Sequence, residues 1–353
     1  MNKTRYIYCL CLSLFSLHTF AQDEMSECRC TETDRSAPAG VYIDHVHTKH
    51  EWMFSYRYMQ TNLRGILQGH AKTDASQIYN DYVMAPQSMK MQMHMLMLMY
   101  GLSDKITFMG MSSYSLSSMN MSMMEYGSSA HVHPGTNSAN PLSAVSNTSG
   151  FADTKIYTLY EALARDNHEI VLSGGLNIPT GSISLSGPSM TGVSRYTYMM
   201  QPGTGSFALL PGITYTWNPE NFSGGMQLSS ALRTGKNKNQ YRWGNEANMT
   251  GWIARRWTDW LSTSARADFS VNGKIIGYDP AIASQRTIDP SADANNYGGK
   301  RSLVYGGINL MAPQGRFKGL KFSAEYGLPV YQNTNGTQLS LQSSFYTNIQ
   351  YGF

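Results

Sequence analysis

The chain is poor in charge. Asp, Glu, Lys and Arg make up only 14% of its 353 residues, against roughly 25% in soluble domains. Its net charge of +4 is small and scattered, so there is no basic stripe and no nucleic-acid partner is expected. Long apolar runs are also missing. Beyond the N-terminal leader, none approaches the roughly 18 residues that a transmembrane helix needs. A membrane location would therefore require a closed barrel of strands. Cysteine is scarce, at four residues. Neither a nucleotide-binding glycine loop nor a complete zinc-hydrolase motif is present.

Aromatic residues, by contrast, reach 12%, and Tyr alone accounts for 23 positions. Mean hydropathy is nevertheless negative, at −0.34. Few charges, many aromatics and no net hydrophobicity suit a wall whose residues alternate between lipid and water.

The first 21 residues read as an export signal. Lys3 and Arg5 form a basic start, residues 7–17 a short apolar run, and Thr19-Phe20-Ala21 a small-residue cleavage site. Residues 22–50 then form a Cys/His-containing segment expected in the periplasm, and residues 51–353 the barrel.

Period-two alternation runs through that third region. Phe322, Tyr326, Leu328 and Val330 share one face, opposite Lys321, Ser323 and Glu325. Leu261, Ala265, Ala267 and Phe269 oppose Ser262, Ser264, Arg266 and Asp268. In the last strand, Leu339, Leu341, Phe345, Ile349 and Phe353 alternate with polar residues. Twelve strands follow, at about 51–66, 82–100, 105–121, 151–164, 168–179, 204–217, 222–235, 241–256, 260–274, 301–312, 319–331 and 339–353. Connections after even-numbered strands are short, and most after odd-numbered strands are long. Outer-membrane barrels have short periplasmic turns and longer external loops. The expected fold is thus an all-β, antiparallel transmembrane barrel in the cell outer membrane. Its partners would be outer-membrane lipid and the barrel assembly machinery.

Methionine is concentrated. Residues 84–124 hold thirteen of the 23. Met89, Met91, Met93, Met95, Met97 and Met99 occupy alternate positions of one strand, and Met109 and Met111 lie on the next. The turn at 101–104 predicts that Met97 meets Met109, or Met95 meets Met111. Thioethers are soft ligands that suit Cu(I) without losing a proton. They are also ordinary apolar filler. Outward Trp52, Phe54, Ile106 and Phe108 assign the methionine parity to the lumen.

Imidazoles gather outside the strands, at His45 and His47 in Asp44-His45-Val46-His47 and at His131 and His133 in an external loop. Alternating His suits Cu, Zn or Ni, although such pairs are often only solvated loop. Cys28 and Cys30 are open to a local disulfide, to pairing with another chain, or to binding a soft metal. Arg57, Glu161, Arg233, Arg266, Asp268, Lys321 and Glu325 are candidate lumen charges.

Several of these segments resemble one family. They are Asp44-His45-Val46-His47, Glu51-Trp52-Met53-Phe54-Ser55-Tyr56-Arg57-Tyr58-Met59, Met93-His94-Met95, Tyr100-Gly101-Leu102-Ser103-Asp104-Lys105, Ser128-Ser129-Ala130-His131-Val132-His133, Gly175-Leu176-Asn177-Ile178-Pro179-Thr180-Gly181 and Gly203-Thr204-Gly205-Ser206. The chain is similar to outer-membrane transporter barrels of the MetA-pathway-of-phenol-degradation family over about residues 40–220. Within it, the chain resembles a Met-rich branch associated with copper resistance. The resemblance implies an outer-membrane barrel with a transport role and brings no catalytic residues.

The functional expectation is a channel for a small solute, with copper handled along a methionine-lined lumen. No cofactor is required, Cu(I) would be ligand or cargo, and a periplasmic copper carrier would be its partner. A non-conducting copper-binding envelope protein is the alternative. An outer-membrane hydrolase would need a Ser beside His94 or His168, and none stands out.

Overall fold

The structure is a computed structural model that describes residues 37–123, 142–189 and 192–353. Twelve antiparallel strands form its wall. They are β1 (Trp52–Gln68), β2 (Met84–Ser103), β3 (Ile106–Met123), β4 (Leu142–Phe151 continuing as Thr154–Arg165), β5 (His168–Ile178), β6 (Ala208–Leu209 continuing as Gly212–Trp217), β7 (Phe222–Arg233), β8 (Glu246–Thr258), β9 (Leu261–Asn272), β10 (Gly299–Met311), β11 (Lys321–Thr334) and β12 (Thr337–Gly352). Each strand pairs with its sequence neighbours, and β12 pairs back with β1, so the sheet closes. Closure leaves no unpaired edge in the wall. The expected twelve-strand antiparallel barrel is the fold observed.

Alternation decides what each face carries. Phe54, Leu98, Phe108, Leu172, Leu176, Phe269 and Tyr326 are exposed on the outer face. Ser55, Arg57, Thr107, Ser262, Arg266, Ser323 and Glu325 are buried on the inner face. The period of two puts successive side chains on opposite sides of a strand. The upper part of β12 departs from expectation. The register shifts between Asn62 and Leu63, and again between Leu63 and Ile66, where Gly65 adopts φ +78°. These irregularities interrupt the alternation. Leu339 and Leu341 are therefore buried, while Ile349, read as sharing their face, stays outside.

The turns at 104–105, 166–167 and 259–260 lie at the end where β1 begins and β12 finishes. There the Trp52 N–H donates to the Phe353 carbonyl at 2.9 Å and the Phe353 N–H returns a bond at 2.8 Å. At the opposite end most connections are long, the two-residue turn 335–336 between β11 and β12 being an exception. β1 and β2, at 17 and 20 residues, exceed the roughly 9–11 that cross a bilayer. Their outer face turns polar toward the long-loop end: the Tyr58 hydroxyl donates to Gln60 at 2.9 Å and Asn120 donates to Ser88 at 3.1 Å. That part of the wall rises above the apolar belt.

The loops at this end are built rather than loose. Residues 280–296 form short 3-10 turns, capped by the carboxylates of Asp279, Asp289 and Asp293. They reach across the mouth, where the Met84 N–H donates to the Ile288 carbonyl at 2.8 Å. Arg195 of the β5–β6 connection donates through Nη1 to both carboxylate oxygens of Asp279, at 3.0 and 2.8 Å, a charge-assisted contact that ties the two loops together. Tyr198, Tyr241, Ile282 and Tyr297 form an apolar cap beneath these loops.

Candidate functional site: a methionine-walled lumen with an internal plug

The methionine parity faces inward. Met53, Met89, Met95, Met97, Met99, Met109, Met111, Met119 and Met121 are buried, while Leu96 and Leu98 on the alternate positions of β2 are exposed. Sulfur forms cross-strand rows. Met53 lies opposite Met99, which lies opposite Met109; Met97 faces Met111; Met89 faces Met119; Met59 faces Met93. This register corrects the expected Met97–Met109 or Met95–Met111 pairing. A bulge between Gly101 and Ser103 shifts the ladder next to the turn, and a turn read by length alone does not reveal it.

Two clusters result. Met95, Met97, Met99, Met109 and Met111 pack with Tyr157, Leu159 and Val171 at the short-turn end. Met89, Met119 and Met121 pack with Leu303, Tyr305, Leu339 and Leu341 nearer the long loops. Met200 joins the second cluster from the β5–β6 connection. Nothing in the sequence pattern singled out Met200, because a loop has no period to read.

Opposite the sulfur stands a charged wall. Arg266 Nε donates to Glu325 at 3.1 Å, its Nη1 also reaches Asp268, and its guanidinium lies 3.7 Å from the Tyr305 ring centroid. Arg266 and Glu325 are almost wholly buried. Arg57, Glu161, Lys321 and Glu325, all read as lumen charges, are buried inside. Arg233 pairs with Glu246 at 2.6 Å.

Residues 37–50, the described part of the segment expected in the periplasm, enter the barrel. The lumen wall supplies the hydrogen bonds that an extended backbone needs when buried. Arg57 donates to the Val41 carbonyl at 2.9 Å, Gln227 to Tyr42 at 2.9 Å and Thr214 to Ile43 at 3.0 Å. The His47 N–H donates to Thr107 at 2.8 Å. The Gly40 N–H donates to the Glu325 carboxylate. A Cβ at Gly40 would collide with the Arg266 guanidinium, so only glycine allows this approach. Ile43 and Val46 pack on the lower methionine cluster. The segment is thus a plug, held by polar bonds on one side and thioethers on the other.

Within it, His45 Nδ1 lies 3.1 Å from Asp44, and His47 Nδ1 lies 3.0 Å from Glu51. The two rings meet edge to face at 4.9 Å. Burial opposes charge on both Asp44 and His45, yet their mutual attraction and hydrogen bond prevail. Asp44 is held down to about 2 and His45 is pushed up to about 9. Burial lowers His47 instead.

Met91 and Met93 are partly buried on the same inner parity as the other expected methionines. Cys28, Cys30, His131 and His133 lie outside the described residues, as does the expected signal sequence. His94 faces outward, its Nδ1 2.7 Å from the Tyr56 hydroxyl, and His168 is likewise 2.7 Å from that of Tyr215. Among the described residues, no three His, Cys, Asp or Glu side chains converge as a metal cluster.

Two larger spaces remain inside. One of about 380 Å³ lies between the plug and the charged wall, bordered by Tyr42, Gln227, Arg266, Asp268 and Tyr346. The other, about 430 Å³, lies under the long loops and is bordered by Met119, Met121, Val145, Tyr196, Met200 and Asp289. Burial lifts the Asp289 carboxyl above its ordinary range, against the hydrogen bonds from Ser291.

Comparison with known proteins follows this geometry. The fold is similar to an outer membrane channel from Pseudomonas putida F1, with a TM-score of 0.58 and 11% identity, over 90% of this chain and 100% of that one. It also aligns with the P. putida toluene transporter TodX, at a TM-score of 0.44 and 12% identity, over 92% of this chain and 94% of that one. No curated protein matches the sequence. At such identities the likeness concerns the fold. The family described as "Putative MetA-pathway of phenol degradation" matches residues 120–280, which overlaps the second half of the region expected from the sequence, about residues 40–220. The chain is thus an outer-membrane-type twelve-strand barrel that carries, over residues 120–280, the MetA-pathway-of-phenol-degradation family match.

Proposed function

We propose that this barrel is an outer-membrane channel for small apolar or aromatic solutes. One observation carries the reading: the β1–β3 side of the inner wall offers an apolar track beside the charged side. The space under the long loops is bordered on the wall side by Met84, Met119 and Met121 and on the loop side by Met200, with Arg195 and Asp289 at its edge. Below it lie Leu63, Met89, Leu303 and Leu339, then the lower methionines down to the plug. The 430 Å³ space falls in the range of small-molecule pockets, about 300–1,000 Å³. Thioethers make a polarisable, adaptable surface and bind aromatic rings favourably. The family description, which names phenol degradation, points to the same solute class. In the resting form the plug narrows the short-turn end, so passage requires residues 37–50 to shift.

The test is uptake of a labelled monoaromatic acid by cells carrying the barrel in a porin-poor outer membrane. Wild type is expected to raise uptake of the aromatic but not of a sugar of similar mass. Met119→Gln with Met121→Gln should lower it several-fold. Equal uptake of sugar and aromatic, or none of either, would overturn the reading.

Copper handling along the same wall is a second reading. The inward turn of the sulfur favours it, because a lipid-facing ladder would have been mere filler. In that reading Cu(I) is cargo or stored ligand, received from a periplasmic carrier.

A further inference from the structure

One small cavity differs from the rest in its chemistry. It measures about 50 Å³ and lies at the short-turn end, between the plug and the lower methionine wall. Asp44 and His45 border it from the plug, and Met53, Met97, Met99 and Met109 from β1–β3. We propose that this cavity is a Cu(I) site in which the His45 Nε2 atom and thioethers of Met53, Met97, Met99 and Met109 converge on one ion. The proposal deepens the copper reading of this wall and is independent of aromatic passage.

Three observations carry it. First, the imidazole is oriented as a ligand. Asp44 holds His45 Nδ1 at 3.1 Å, and Nε2 is buried without a hydrogen-bond partner. Metal-bound His residues share this arrangement, in which a carboxylate on the far nitrogen fixes the ring and raises its basicity. Second, the remaining donors are sulfur. Since no three His, Cys, Asp or Glu side chains converge among the described residues, the nitrogen and oxygen set of a zinc or calcium site is not built here. Thioethers select Cu(I). Third, once His45 has given up its proton to act as a ligand, the charges bordering the cavity balance: Asp44 and Glu169 against Arg57 and Lys321. A neutral surround favours a monovalent ion over a divalent one, since the cost of burying charge rises steeply with its size. Some 50 Å³ exceeds the roughly 10–15 Å³ that a water needs.

Binding requires no redox step. Cu(I) enters as Cu(I), the thioethers give lone pairs without losing protons, and any proton on His45 Nε2 leaves to solvent. His45 Nδ1 keeps its hydrogen and its bond to Asp44.

The test uses the full barrel in detergent, titrated with Cu(I) against a competing chelator, with X-ray absorption on the loaded protein. One Cu(I) per chain is expected, with sulfur and imidazole nitrogen in its first shell. His45→Asn should weaken binding at least tenfold. Met97→Leu with Met99→Leu and Met109→Leu should do the same while keeping the wall's volume. Met119→Leu with Met121→Leu, in the upper cluster, should leave affinity unchanged. No binding by wild type would overturn the proposal, as would binding untouched by the lower triple or lost equally in the upper pair. Aromatic uptake by the same variants keeps the two proposals separable. Loss of aromatic passage with Cu(I) binding intact overturns the channel reading alone, and the reverse result overturns this proposal alone.

Discussion

Two walls face each other across this lumen, and they solve burial in opposite ways. On β1–β3 the inner positions carry uncharged thioethers that pack on one another. On β9 and β11 they carry Arg266, Asp268 and Glu325, bound to each other and to the plug. Both obey the same alternation, so parity alone does not distinguish them. The difference teaches that being inside a barrel is a geometric state, while residue type shows what the wall does there. A packed Leu would serve burial as well as Met. The outer face of β2 does use Leu, at Leu96 and Leu98. The inner face of the same strand reserves Met.

The sharpest way to break the contrast is to disarm the charged wall. Glu325→Ala leaves the buried Arg266 guanidinium with Asp268 as its one carboxylate partner and releases the Gly40 amide. It should cost about 3 kcal/mol, read as urea unfolding of the vesicle-inserted barrel, and should raise single-channel conductance by loosening the plug. An unchanged conductance would mean that the plug is held mainly from the methionine side. Next in size is Met99→Ala, which leaves a cavity in the sulfur wall and should cost about 2–3 kcal/mol. Met99→Leu, at nearly equal volume, should cost less than about 1.5 kcal/mol by the same measurement. If Leu proved as damaging as Ala, shape rather than volume would define that wall. Smallest is His94→Phe on the outer face. It removes one hydrogen bond to Tyr56, and the expected loss is about 1 kcal/mol or less.

Much of this was legible in the residues. The twelve strands were readable because each carries its own period, and so was the inward parity of Met89–Met99, since Phe54 and Phe108 had to face lipid. The Met97–Met111 register was not legible, because a bulge at Gly101–Ser103 changes pairing without changing composition. Leu339 and Leu341 were misplaced for a similar reason: a local irregularity reverses which face a strand shows. The plug escaped entirely. Residues 37–50 have no repeat, and their backbone is satisfied by Arg57, Thr214 and Gln227. Those partners are distant in sequence and visible only once the wall has closed around them. His45 was noted for its neighbour His47, whereas its placement beside Met97, Met99 and Met109 came only from the fold.

The clasp between Trp52 and Phe353 also bears on how the molecule is made. The first and last strands form one seam, so the cylinder has two open edges until β12 arrives. The plug lies directly before β1 and inside the finished wall. It is most easily laid down while that seam is still open, as a thread is laid in a mould before the halves are joined. Closing the seam then fixes its place. Completion of the wall and the seating of its plug are thereby geometrically linked.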